Sequence, residues 1–182
     1  MRASGGNLLL NDSAWFGDRA GDRFRRDVLD QPGVRSAVVL VGLNDIGFSE
    51  VELPTYRPNP DQSPAELIAG YRELIGQARA AGVRITGATI MPFKGAEYHT
   101  PTAEAKRREV NAWIRASGEF DAVADFATAL ADPSDPDALL PATTAATTST
   151  RTTRAIARWP PPSTSPRCDR APLGPAAVSP PS

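Results

Sequence analysis

Ser36-Ala-Val-Val-Leu-Val41 runs directly into Gly42-Leu43-Asn44-Asp45, and the join between these two stretches decides how the whole sequence is read. The first stretch carries no charge and is mostly branched aliphatic, as expected of a strand buried on both faces. Gly42 ends it. Upstream, Ala20, Phe24 and Val28 fall four apart within Asp18–Leu29, which predicts an amphipathic surface helix that Gln31-Pro32-Gly33 stops. Downstream, a Pro-rich loop from Pro54 to Pro60 leads to Ser63 and Glu66, spaced as a capping box with Pro64 at the first helical position. Leu67, Tyr71, Leu74 and Ala78 then mark a buried helical stripe, and Gly82 is placed as a C-cap. Val83 to Met91 reads as a second buried strand. Thr102 begins a helix carrying Val110, Trp113 and Ile114, Gly118 closes it, and Ala122 to Phe126 is a short third strand.

Helix and strand alternating in this order predict right-handed βαβ units, hence an α/β fold with a parallel sheet covered by helices on both faces. Ligands in such sheets bind beyond the carboxyl ends of the strands. The segments starting at Gly42, Met91 and Phe126 are therefore where chemistry is expected.

Composition narrows the function classes. With 182 residues, 41% hydrophobic and 23% charged, the chain fits one soluble domain. Lys+Arg 20 against Asp+Glu 21 gives no cationic excess for nucleic acid or an anionic membrane surface. Cys168 stands alone, which excludes an intramolecular disulfide and a multi-cysteine zinc site. No apolar run reaches membrane-spanning length, and Met1 to Asn7 lacks the apolar core of a secretory signal. The charge is uneven: residues 1–142 sum to −5, whereas 143–182, with five Arg and only Asp169, sum to +4. Beyond the seam at Ala142, eight Pro and eight Thr accompany only Ile156, Leu173 and Val178 as branched aliphatics. Such a segment cannot bury enough apolar surface to offset its ordering entropy, so 143–182 is expected to be disordered, with Pro160 to Pro162 as its one polyproline-like docking element.

At Gly42-Leu43-Asn44-Asp45 the residue types suit a strand-end site. Gly42 allows a tight backbone path, Asn44 can aim a side-chain N–H at an oxygen gaining negative charge, and Asp45 can support the loop through local hydrogen bonds. Gly, Asn and Asp are also ordinary turn residues. Val38 to Asp45 as a whole resembles the third conserved block, Gly-x-Asn-Asp, of the SGNH or GDSL hydrolases, and Ser4-Gly5-Gly6-Asn7 resembles their second block. The resemblance continues through Leu67-Ile-Ala-Gly-Tyr71, Gly87-Ala-Thr-Ile-Met-Pro-Phe93 and Val110-Asn-Ala-Trp-Ile114, and covers roughly residues 2–142.

This resemblance implies a three-layer α/β/α sandwich of flavodoxin-like type and a serine esterase or lipase acting on small-molecule esters without a cofactor or metal. It implies that the backbone N–H of Gly6 and the side chain of Asn44 belong to an oxyanion hole, with Gly42 and Asp45 supporting the loop. The catalytic residues depart from the family pattern. No Gly-Asp-Ser block carries a nucleophile, and Ser4 and Ser13 read as turn or cap residues. No His follows Leu139-Leu-Pro-Ala142, where Asp-x-x-His-Pro is expected. The chain's single histidine, His99, lies in Glu97-Tyr-His-Thr-Pro101, where it reads as a solvated loop residue ahead of a relocated base. Asp45 and Asp125 read as hydrogen-bond partners ahead of orienting acids.

Codons for Thr143 through Trp159, read one base back, permit Asp-His-Leu-His-Pro, with its Asp and His at the codons now giving Thr147 and Thr150. The expectation is thus an esterase-like domain over 1–142, truncated before its second block and read out of frame after Ala142, lacking its nucleophile and its Asp–His pair. A noncatalytic acyl- or glycan-binding pseudoenzyme is the competing reading. Nucleotide binding ranks last, because neither Gly-x-Gly-x-x-Gly nor a phosphate-loop Lys is present. The sequence assigns no oligomeric state and no compartment, although relatives of this type are often exported.

Overall fold

The computed structural model describes residues 6–13, 16–51 and 60–141. Ser4, the loop 54–59 and the tail 143–182, including Thr147, Thr150, Pro160 to Pro162 and Cys168, lie outside the described residues.

A short helix α1 (Ala20–Phe24) continues as a π-helical turn over Arg25–Leu29 and leads to strand β1 (Ser36–Val39). Helix α2 (Leu43–Ser49) follows, then α3 (Pro64–Ala80), β2 (Arg84–Ala88), α4 (Pro101–Ala116) and β3 (Ala122–Ala124). A four-residue helix α5 (Phe126–Ala129) precedes a hairpin of β4 (Ala131–Asp132) and β5 (Asp135–Leu139). Strands β1, β2 and β3 pair in that order and all in parallel, with Ser36 opposite Arg84 and Thr86 opposite Ala122. The βαβ reading of the sequence is therefore the observed one.

Helix α3 shows why these elements form. Ser63 Oγ accepts the N–H of Glu66 while the Glu66 carboxylate accepts the N–H of Ser63, and Pro64 occupies the first turn. Leu67, Tyr71, Leu74 and Ala78, at helical spacing, are all buried. They pack with Ala37, Val39 and Ile85 of the sheet into one core. Helix α4 begins at Pro101, one residue before the expected Thr102, because Thr100 Oγ1 accepts the N–H of Ala103 and so acts as N-cap.

Two expectations are corrected. Strand β1 is not buried on both faces: Ala37 and Val39 are buried, but Val38 is 64% and Leu40 46% exposed. Val38 pairs with Thr86, and Thr86 with Ala122, so this row forms a sheet face that no helix among the described residues covers at the β1 side. The strands are also shorter than the apolar runs that announced them. Leu40 and Val41 leave β1 before α2 begins, and Asp125 caps α5 instead of extending β3, accepting the N–H of Thr128.

Candidate functional site

The carboxyl end of β1 is fixed by packing beneath it. Tyr71 of α3 is fully buried and donates its hydroxyl to Val41 O at 2.6 Å. Burial raises the Tyr71 pKa, and the nearby Asp45 charge adds to this, so the phenol remains a hydrogen-bond donor. Gly42 caps α2 with φ +104°, a region L side chains rarely adopt, and a Cβ there would lie 2.8 Å from Tyr71 Oη. Glycine is required at this position by both backbone angle and space.

Helix α2 opens with Leu43, Asn44 and Asp45, so Asn44 and Asp45 sit in a first helical turn and not in a loop. Asn44 Nδ2 donates to Asn7 O at 3.0 Å. Asp45 is 3% exposed, and besides its own backbone its partners are distant in sequence: its carboxylate accepts the N–H of Leu9 at 2.9 and 3.0 Å and that of Leu10 at 3.0 Å. The expected support role therefore becomes a long-range tether between α2 and the segment 7–10. Burial pushes the Asp45 pKa up, and the N–H groups of Leu9 and Leu10 oppose that shift.

The tether brings Gly6 to Asn44. Gly6, adjacent to the Asn7 carbonyl that Asn44 grips, has φ +71°, and the Phe16 ring fills the place of its missing side chain, 2.3 Å from a built Cβ. Asn7 Nδ2 reaches Asp18 O at 3.0 Å, and Ala20 N donates to Leu8 O at 2.9 Å, which fastens the same segment to α1. A carboxamide carries two N–H donors. Asn44 spends one on this clamp beside the Gly6 backbone, and the arrangement suits binding of an anionic or polarised oxygen. The four residues singled out from sequence, Gly6, Gly42, Asn44 and Asp45, are thus gathered at one strand end.

The other polar candidates lie apart from them. Ser13 Oγ accepts the N–H of Phe16 inside a tight loop closed by paired Ser13 and Gly17 backbones. Asp125 is occupied by Arg115 at 2.8 and 3.0 Å, by the Thr89 hydroxyl at 2.9 Å and by Thr128. His99 is half-buried, less solvated than the loop residue expected: its ring meets Phe93 edge-on at 5.2 Å, and Nε2 is enclosed without a hydrogen-bond partner among the described residues. A cleft of about 550 Å³ opens between α4 and the β4–β5 hairpin, lined by Arg107, Arg108, Arg115, Thr128 and Asp137 among others. Its cations are already matched. Arg107 and Arg108 both bind Glu104, at 2.6 and 2.8 Å, and Arg108 also binds Asp137 at 2.5 Å. Among the described residues no group of His, Cys, Asp and Glu could hold a metal ion, and no helix is long and apolar enough to cross a membrane.

The strand end of β2 is held by a side-chain clamp. Asn111 of α4 clamps Ile90, accepting its N–H at 2.7 Å and donating to its carbonyl at 2.8 Å, and Arg107 donates to the same oxygen at 3.1 Å. Sequence reading missed this clamp, although Asn111 on the otherwise apolar stripe of Val110 and Ile114 was its signal.

Arg115, with help from the Thr128 and Thr89 hydroxyls, holds the Asp125 carboxyl well below the usual carboxylate range. A depressed folded-state pKa stabilises the fold above the unfolded value of 3.8 and loses that contribution as pH falls through the folded value. Asp45, raised by burial, acts oppositely and loses favour as pH rises above 3.8. We expect the melting temperature to fall on acidification below about pH 4, and Asp125→Asn to flatten that acid limb. Equal slopes for the two proteins would refute the assignment. The effect is modest, because the Asp125 side chain is 37% exposed.

Comparison with known proteins adds the following. Residues 2–158 match the GDSL-like Lipase/Acylhydrolase family. Among solved structures, the chain is similar to the "putative acylhydrolase" of Bacteroides fragilis NCTC 9343, with a TM-score of 0.54 and 19% identity over 76% of this chain. The chain spans 59% of that protein's length, and at this identity the likeness speaks for the α/β fold alone. No curated protein matches the chain.

Proposed function

We propose, from the premise that the chain belongs to the GDSL-like lipase/acylhydrolase family, that residues 6–45 form the oxyanion-binding part of a carboxylic-ester hydrolase and that this chain holds an ester carbonyl without turning it over. The observation that carries the reading is the clamp of Asn44 on Asn7 O beside Gly6, held by the Asp45 tether. An oxyanion hole acts by aiming fixed N–H donors at the oxygen that gains charge when a nucleophile attacks the carbonyl. In the triad mechanism a Ser hydroxyl makes that attack, a His takes its proton, and an Asp orients the His. Asn44 and Gly6 supply the donors. The sequence supplies no Gly-Asp-Ser nucleophile, and His99, its one histidine, packs on Phe93 with Nε2 enclosed and without a hydrogen-bond partner among the described residues.

The tail enters this reading through the genetic code. The shifted frame, which would place the missing Asp-x-x-His-Pro block at the codons of Thr147 and Thr150, is supported by the codons that these residues permit. Thr cannot substitute for either group, because its hydroxyl does not titrate near neutral pH.

The test is hydrolysis of a short-chain p-nitrophenyl ester by the purified chain. Loss of a triad in a serine hydrolase lowers turnover about a million-fold, so the rate should lie near background and be indifferent to a fluorophosphonate. Robust turnover abolished by the fluorophosphonate would overturn the account, as would a coding DNA whose shifted frame over codons 143–159 does not spell Asp-x-x-His-Pro. The competing reading is a noncatalytic module that retains the same strand end for an acyl or glycan ligand; saturable binding of a sugar ester, with an intact reading frame through codon 159, would favour it.

A further inference from the structure

The cleft between α4 and the β4–β5 hairpin, about 550 Å³ in volume, has the size of a small-molecule site, and neither Gly6 nor Asn44 lines it. Its lining excludes several ligand classes. Among the described residues no Leu, Ile, Val, Met or aromatic side chain faces it, so an acyl chain or an aryl ring would find little apolar wall. Three arginines are set among four carboxylates, those of Glu104, Asp125, Asp132 and Asp137, so neither an anion nor a cation meets a surplus of opposite charge. A neutral, hydrophilic ligand is what remains.

The donors left over are regularly placed. Arg108 gives Nε to Glu104 at 2.8 Å and Nη2 to Asp137 at 2.5 Å, and Arg115 gives Nε and Nη2 to Asp125 at 3.0 and 2.8 Å. Nη1 of each makes no hydrogen bond among the described residues. The two arginines are seven residues apart on α4, hence on one face and about 10 Å apart along the axis. Acceptors accompany them. Thr128 Oγ1 shares the Asp125 carboxylate with Arg115 and, having donated its proton there, keeps its lone pairs, while the Asp137 carboxylate has acceptor capacity beyond Arg108. From the hairpin, Asp132 uses Oδ1 for the N–H and hydroxyl of Ser134 and leaves Oδ2 without a partner among the described residues. From this alternation of donors and acceptors we infer that the cleft binds a neutral saccharide, with one end at Arg115 and Thr128 and the other at Arg108 and Asp137. Each sugar hydroxyl both donates and accepts, so neighbouring hydroxyls engage a guanidinium and the acceptor beside it together. The carboxylates already fix the guanidinium planes, which lowers the ordering cost of binding. The inference does not depend on Asn44 and Gly6 holding an ester.

The test is an NMR titration of the full chain with cellobiose and with maltose, beside triethylene glycol and inorganic phosphate. We expect at least one disaccharide to shift the Thr128 and Asp132 amides and the Nε–H signals of Arg108 and Arg115, with a Kd of about a millimolar. That Kd should be the same at low and high salt, because the ligand carries no charge. Triethylene glycol, which lacks neighbouring hydroxyls, and phosphate should leave these signals in place. Arg108→Lys keeps the charge and loses the planar fork, and Asp132→Asn replaces the free oxygen with a donor; a loss of about tenfold in affinity in either variant supports the site. A response to neither disaccharide, shifts confined to residues outside the cleft, a response to phosphate or triethylene glycol as large as that to the disaccharides, or unchanged affinity in both variants would overturn it.

Discussion

Asp45→Asn should destabilise the chain by about 2 to 3 kcal/mol and release the segment 7–10 from α2. The carboxylate accepts the N–H of Leu9 with both oxygens and that of Leu10 with one, at a site that is 3% exposed. An amide of the same shape keeps Oδ1 as acceptor for Leu9 and Leu10 but puts an NH2 group in place of Oδ2, so the second bond from Leu9 is lost, two donors face each other, and the remaining bonds are no longer charge-assisted. Hydrogen bonds to a charged group contribute about 1.5 to 3 kcal/mol, and the relief of no longer burying a charge offsets part of that loss. Denaturant unfolding measures the loss. Hydrogen exchange locates it, since the Leu9 and Leu10 amides should lose protection before the amides of α3 do. An Asn variant within about 0.5 kcal/mol of the parent, with those amides still protected, would show that the tether does not hold the strand end together.

Gly42→Ala is expected to be of similar size, about 2 to 4 kcal/mol, for two separable reasons. The residue sits at φ +104°, and holding an L side chain in such a region costs about 1 to 3 kcal/mol. Its new methyl would also lie 2.8 Å from Tyr71 Oη and 3.2 Å from Ile90 Cδ1. The hydroxyl cannot simply move aside, because it is committed to Val41 O. A double-mutant cycle separates the two. In a Tyr71→Phe background the steric part should shrink and the backbone part remain, so the two changes together should cost less than their sum by about 1 kcal/mol. Strict additivity would mean that the hydroxyl plays no part.

What could be read from sequence divides along the range of the forces involved. The start of helix α3 was legible to the residue because its signals are local: Ser63 and Glu66 three apart, Pro64 between them, and Leu67, Tyr71, Leu74 and Ala78 on one face; its C-cap is Ala81, one residue before the expected Gly82. Helix α2 was not, since Gly42-Leu43-Asn44-Asp45 has the composition of a turn. Its helical form comes with bonds to Leu9 and Leu10, more than thirty residues away. The same distance concealed the role of Asp45, whereas Gly6 and Asn44 were marked by their motifs. The apolar run of β1 overstated its burial, because a strand's own residues do not say whether a second layer covers the far face. The β4–β5 hairpin gave no strand signal at all: Pro133 and Pro136 punctuate it, and proline withholds an N–H from any ladder.

The uncovered side of β1 bears on how this protein behaves as a colloid. Copies of a chain with a formal net charge of −1 repel one another only weakly. Val38 and Leu40, 64% and 46% exposed at the sheet's outer strand, set apolar surface beside a strand edge that is unpaired among the described residues. Apolar contact at that margin would meet little electrostatic repulsion between copies. A pair of charges placed on the exposed row would raise that repulsion without touching the residues that hold the strand end.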